Sequence, residues 1–168
     1  MWLGELTNTP LGTMWVAYGD MGLVGVSLWP DVARFTAHMH RLTGITPSYA
    51  PEQVTAVTDQ LTAYFNKTRT EFDLPIAWNL LTPFQAKVLQ AVTGVAYGRV
   101  RSYLEIAQQL GQPQAVRAVG RANATNPMPI IIPCHRILGR DGQLHGYSAP
   151  GGLETKAWLL RHEGSWLL

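Results

Sequence analysis

Pro127, Pro129 and Pro133 fall within seven residues of one another, in the stretch NPMPIIIPCHRI. Proline lacks the N–H that a helix interior needs, and it pushes the residue before it out of helical geometry. This stretch must therefore run as stiff, irregular backbone whatever flanks it. It carries the apolar run Ile130-Ile131-Ile132 directly to Cys134, the only cysteine of the 168-residue chain. A lone cysteine cannot close an internal disulfide, so no oxidising compartment is implied. Single cysteines are most often inert small hydrophobes. This one sits beside His135 and Arg136, groups of the kind that lower a thiol from its usual pKa of about 8.5. The expectation is a nucleophile that is ionised at rest. Consecutive side chains of an extended backbone diverge, so His135 reaches Cys134 only through a turn or a bridging water. A carboxylate should orient the imidazole. Glu154 and Glu163 are the candidates near the C-terminus, and Glu163 follows the apolar run of its helix.

The chain changes character near residue 78. Before it, LGELTNTPLGTMWVAYGDMGLVGVSLW alternates apolar and polar residues between turn signals, which predicts antiparallel strands. A short helix with Pro30 at its start and Gly44 past its end follows, and a second carries Val54, Val57, Leu61 and Tyr64 or Phe65 at helical spacing. TEFDLPIAW reads as extended. Beyond it, Thr82 and Pro83 open a helix with Phe84, Val88, Leu89 and Val92 on one face. Ser102 and Glu105 form a capping box. Gly111 closes that short helix and Pro113 opens another, an outline that suggests a helix-turn-helix. A last helix, LETKAWLLRHEG, has Leu153, Ala157, Leu160 and Trp158 as its inward candidates. The expected fold is α/β: an N-terminal α/β domain with a small antiparallel sheet over residues 1–78, and a mainly helical, winged-helix-like domain over 79–168.

Charge divides with the domains. Residues 1–78 hold four basic and seven acidic side chains, and residues 79–168 hold nine and four. A basic half joined to an acidic one points weakly to a nucleic-acid partner for the basic half. His38 and His40 do not share a helix face, so no metal site is expected. The start of the chain lacks a signal-peptide layout and no apolar run approaches spanning length, which leads to the expectation of a cytoplasmic chain without a membrane partner.

The stretch NPMPIIIPCHRILG, followed by GYS…GGLETKAWLLRHEG, closely resembles the active-site region of the O6-alkylguanine-DNA alkyltransferases, also called methylated-DNA-protein-cysteine methyltransferases. The block TPFQAKVLQAV…YGRVRSYLEIAQQLGQPQAVRAVGRANATNP is similar to their helix-turn-helix. Over residues 1–78 the resemblance is looser and points to their RNase H-like N-terminal domain. It implies that Cys134 takes an alkyl group from guanine O6, and from thymine O4 as a further candidate lesion, in a flipped-out nucleotide of duplex DNA. The thioether is stable, so each molecule acts once. No cofactor is implied, and a monomer is expected.

The resemblance assigns roles residue by residue. His135 activates Cys134 through a water, Glu163 holds His135, and Asn126 braces the active-site loop. Arg117 intercalates, Tyr103 presses on the phosphate backbone, and Ala115, Ala118 and Gly120 let helix and groove approach. Ile137 and Ser148 offer backbone groups to the guanine, and Tyr147 walls the pocket. Gln85, Gln112 and Arg140 fall where relatives touch DNA, Lys156 matches a lysine near the site, and Arg136 is assigned a structural part. The family pattern Gly-Tyr-x-Gly-Gly is interrupted here by Ala149-Pro150, which puts the tolerated alkyl size in doubt. Two other classes share parts of this pattern: a DNA-binding module without chemistry, and a cysteine hydrolase built on Cys134, His135 and Glu163.

Overall fold

The structure is a computed structural model and describes residues 1–165. It divides into two compact units, Met1–Leu80 and Leu81–Leu168. In the first, the alternating opening folds as β1 (Trp2–Thr9), β2 (Gly12–Gly19) and β3 (Gly22–Ser27), an antiparallel meander turning where the Pro and Gly signals stand. α1 (Val32–Thr43) starts two residues after Pro30. Asp31 is its N-cap, accepting from Arg34 N at 2.9 Å, and Gly44 takes the left-handed turn that ends it.

A strand that the hydropathy pattern does not reveal, β4 (Ser48–Tyr49), adds to the far side of β1 in parallel. The sheet order is therefore β3-β2-β1-β4, three antiparallel strands with one parallel addition. Two residues are too few to show a period, and the pairing is with a strand more than 40 positions away. A single 3₁₀ turn (Pro51–Gln53) precedes α2 (Thr55–Phe65), which buries Val57, Leu61 and Tyr64, so Tyr64 rather than Phe65 is the fully buried ring. The segment read as extended makes only a single bridge, Ile76 with Leu23. There Gly22 has φ +107°, and a Cβ at that position would meet the Pro75 carbonyl, so this close approach requires glycine. Leu3, Ala17, Val24, Phe35, Met39 and Ala77 pack together as this unit's core. Each large side chain buried there contributes about 1.5–3 kcal/mol.

In the second unit, α3 (Pro83–Thr93) is capped by Thr82 as expected, with Val88, Leu89 and Val92 buried. β5 (Arg101–Ser102) runs directly into α4 (Tyr103–Gln109), where both hydrogen bonds of the Ser102–Glu105 capping box form. Gly111, at φ +70°, makes the turn. A 3₁₀ turn (Pro113–Ala115) then leads into α5 (Val116–Ala124). After the proline segment come a 3₁₀ turn at Cys134–Arg136 and β6 (Ile137–Leu138). β6 pairs in parallel with β5, Arg101 opposite Ile137 and Ser102 opposite Leu138. α6 (Leu153–His162) buries Lys156, Ala157, Leu159 and Leu160. Leu153, expected inward, is 43% exposed because it occupies the first turn, before the helix reaches the core.

Candidate active site

The β5–β6 pair fixes the position of the sulfur. Tyr103 begins the helix that leaves β5, and Cys134 opens the turn that enters β6, so two residues of pairing bring distant stretches together. Between α5 and Cys134 the chain makes a tight turn in which Ile130 has φ +73°. A β-branched residue in the left-handed region costs about 1–3 kcal/mol and persists only where its surroundings enforce it. Asn126 enforces it. Its amide nitrogen donates to the Ile132 carbonyl at 2.9 Å, and its amide oxygen accepts from Met128 N at 2.9 Å, so both ends of the turn are tied to one side chain.

The 3₁₀ turn sends Cys134 one way and the next two side chains, His135 and Arg136, toward Glu163. Cys134 faces a small cavity lined by Asn126, Pro129, Tyr147 and Ser148, among others. His135 is fully buried, with Nε2 2.7 Å from Glu163 Oε1. Arg136 donates from Nε to Glu163 Oε2 at 2.8 Å and from Nη2 to Oε1 at 3.0 Å, and its Nη1 donates to the Val95 carbonyl. Burial works to raise the Glu163 pKa, but the hydrogen bonds from His135 and Arg136 outweigh it and hold the carboxyl at about 2. An ionised carboxylate only accepts, so His135 Nε2 must carry the proton. Nδ1 is then the basic nitrogen. It is buried and has no hydrogen-bond partner among the described residues. Burial lowers the imidazole, and Arg136 and Lys156 add to this against the pull of Glu163, so the resting ring is neutral.

The expectation of a thiolate at rest is overturned. Cys134 is 5% exposed, and burial pushes its thiol up. Arg136 is committed to Glu163, and His135 is uncharged. The opposing influences come instead from Asn126, from the charge of Lys156 and from Tyr147. Lys156 is fully buried, its Nζ donating to the carbonyls of Ile137 at 2.6 Å and His145 at 3.0 Å, and burial lowers it to about 8. The resting group is a thiol, with a proton acceptor one residue away.

The other expected residues divide among three surroundings. Ile137 is buried, and its N–H donates to the Cys134 carbonyl, so only a carbonyl lone pair not used by Lys156 remains to it. Ser148 donates from Oγ to the Ala124 carbonyl at 3.1 Å and lines the cavity with Tyr147. The cavity measures about 20 Å³, room for about one water. Asn123, which the sequence reading passed over, donates to the Cys134 carbonyl at 3.2 Å. It sits on the buried face of α5 beside Ala122, and an asparagine there is the signal that could have found it.

Tyr103 is half-buried beside this group, its ring 5.9 Å from Lys156 Nζ. Burial raises its phenol, with a hydrogen bond from Asn123 opposing. Gly120 lies on α5, where an added Cβ would come no nearer than 4.0 Å to Tyr103, and Ala115 is the N-cap of the same helix. Arg117 is exposed and lines a separate groove of about 490 Å³ with Phe84 and Gln85. Gln85 already donates to the carbonyl and hydroxyl of Thr125, at 3.1 and 3.0 Å. Gln112 and Arg140 are exposed, one between α4 and α5 and one at the turn after β6.

Residues 83–165 match the DNA binding domain of 6-O-methylguanine DNA methyltransferase, and residues 3–78 match the ribonuclease-like domain of the same family. A methylated-DNA–protein-cysteine methyltransferase of Salmonella typhimurium is 39% identical over 99% of this chain and 98% of its own length. The constitutive one of Bacillus subtilis is also 39% identical, over 93% and 92%. Among solved structures, Mycobacterium tuberculosis O6-methylguanine methyltransferase aligns with a TM-score of 0.80 at 35% identity, covering 99% of this chain and 94% of that one. The same organism's OGT in complex with DNA aligns with a TM-score of 0.82 at 35% identity, covering 98% and 94%. Family matches that together span nearly the whole chain, with relatives alike along their full lengths, place this protein in the 6-O-methylguanine DNA methyltransferase family.

Proposed function

We propose that this protein repairs duplex DNA by moving the alkyl group of O6-alkylguanine irreversibly to the sulfur of Cys134. The observation that carries the reading is a buried thiol followed in the chain by a neutral histidine, whose protonated nitrogen is fixed by Glu163 and whose basic nitrogen is unpaired within the described protein. A bridging water would pass the thiol proton to His135 Nδ1. Glu163 stabilises the resulting imidazolium, and Lys156 stabilises the thiolate. The thiolate displaces guanine from the alkyl carbon, so an S–C bond forms as the C–O bond breaks. The electron pair goes to the base, which leaves as guanine after taking up one proton. The thiol proton thus ends, in net, on guanine, and the thioether remains on the protein.

The target atom lies inside the stack, so the nucleotide must be extruded at a cost of a few kcal/mol. We assign to Arg117 the filling of the vacated space, to Tyr103 a push on the neighbouring phosphate, and to Ala115 and Gly120 the close fit of α5 to the groove. Gln85, Gln112 and Arg140 are placed at the flanking backbone, and Ile137, Tyr147 and Ser148 around the extruded base. A base cannot enter a cavity of about 20 Å³, so Tyr147 and Ser148 must give way as it arrives. O4-alkylthymine is a second candidate lesion, and one chain suffices for the reaction.

The test is intact-mass measurement after mixing the protein with a duplex carrying O6-methylguanine. One methyl increment on the peptide containing Cys134, with activity lost in equal measure, is the expected result. Tight binding without a mass change would favour a lesion marker, and repeated turnover on an ester would favour a hydrolase.

A further inference from the structure

α5 carries two charged side chains, Arg117 and Arg121, and no acidic one. Four residues separate them, a little over one turn, so they share a face. The opposite face, Val119 and Asn123, is buried. Both arginines are exposed, and both stand on the groove floored by Phe84, Ala118 and Ala122. Among the described residues, neither guanidinium of α5 is ion-paired with a carboxylate. Like charges at this spacing repel and weaken a helix. Gln85 and Thr125, at the groove edge, are satisfied by each other and bring no charge. The face is therefore cationic, uncompensated and bordered by small side chains, a surface complementary to a polyanion.

We propose that Arg121 is a DNA phosphate-binding residue, gripping the backbone about 6 Å along α5 from Arg117. The assignment rests on the DNA-repair reading above. A guanidinium offers a planar fork of donors that fits phosphate oxygens bidentately. The separation along α5 is on the order of two base-pair rises, so the two arginines address different nucleotides. Arg121 also lies in the last turn of α5, where a cation favours the helix dipole without any ligand. The experiment must separate that role from phosphate binding.

The full-length chain is titrated onto a fluorescent, undamaged duplex between about 50 and 200 mM salt, a range over which each phosphate contact changes affinity by roughly threefold. Arg121→Gln should weaken binding about three- to tenfold near physiological salt and make the plot of log K against log salt shallower by about one. Arg121→Lys, which keeps the charge, should retain the parental slope. An affinity that falls by the same factor at every salt concentration, or a slope that does not change, would overturn the assignment and leave Arg121 as a support for α5. The methyl-transfer measurement on the parent chain keeps the two readings apart. A parent that takes up methyl while Arg121→Gln keeps its slope sinks only the Arg121 assignment, whereas a parent that takes up none sinks the repair reading whatever Arg121 does.

Discussion

Arg136 holds both oxygens of Glu163, Nε to Oε2 at 2.8 Å and Nη2 to Oε1 at 3.0 Å, while His135 shares Oε1. Two adjacent residues of one turn thus converge on a carboxylate at the end of α6. Glu163 is 6% exposed, so its charge depends on them. Replacing Glu163 by Gln leaves Arg136 charged, buried and half-partnered, and should cost about 3–5 kcal/mol in urea denaturation. The double variant Glu163→Gln, Arg136→Met should recover much of that loss. Additive losses in the cycle would show that the two side chains do not depend on each other.

The same carboxylate sets a response to acid. Its folded pKa of about 2 lies below the ordinary 4.5. The contribution to stability is therefore complete above about 4.5 and disappears as pH falls through about 2, on the order of 3 kcal/mol in all. Stability measured across this window should fall more steeply in the parent than in Glu163→Gln.

Lys156 acts at the other end of the scale. Its folded pKa of about 8 lies below the ordinary 10.5, so between those values the unfolded chain binds more protons. Stability should rise with pH across that window because a buried charge is being removed. Lys156→Met should flatten the rise, and an identical slope in both proteins would mean that Lys156 does not titrate there.

The rate of alkyl transfer should follow His135, not Cys134, on the acid side. The imidazole must be neutral to accept a proton, and its pKa is held below 6.5. The rate constant with free O6-benzylguanine should therefore stay level down to about pH 6.5 and fall only below it. An inflection well above 7 would contradict a neutral resting imidazole.

Asn126 is the brace of the strained turn. Asn126→Ala removes two hydrogen bonds, one to each end of the turn at Ile130, and should cost about 1–3 kcal/mol in chemical denaturation. Alkyl transfer should slow by more than this loss of stability accounts for, since the carbonyl of Ile132 also accepts from Cys134 N at 2.8 Å.

Local chemistry was legible in the sequence where a residue meets its partner within a few positions. Gly44 past the end of α1, Thr82 on α3, and Ser102 with Glu105 on α4 are of this kind. What escaped is non-local. β4 and the β5–β6 pair are two residues long and find their partners far along the chain. The ionisation of Cys134 was misjudged because His135 and Arg136 adjoin it in sequence, whereas the turn at Cys134–Arg136 points both toward Glu163. The cation that bears on the sulfur belongs to Lys156, whose burial no helical period marks.

The water-sized cavity at Cys134 bears on how the protein keeps between encounters. Oxidation by peroxide needs an exposed thiolate, and this sulfur is neither exposed nor ionised. A stored pool should thus stay reduced through oxidant bursts that convert surface cysteines to sulfenic acid, and the reagent would be intact when a lesion next appears.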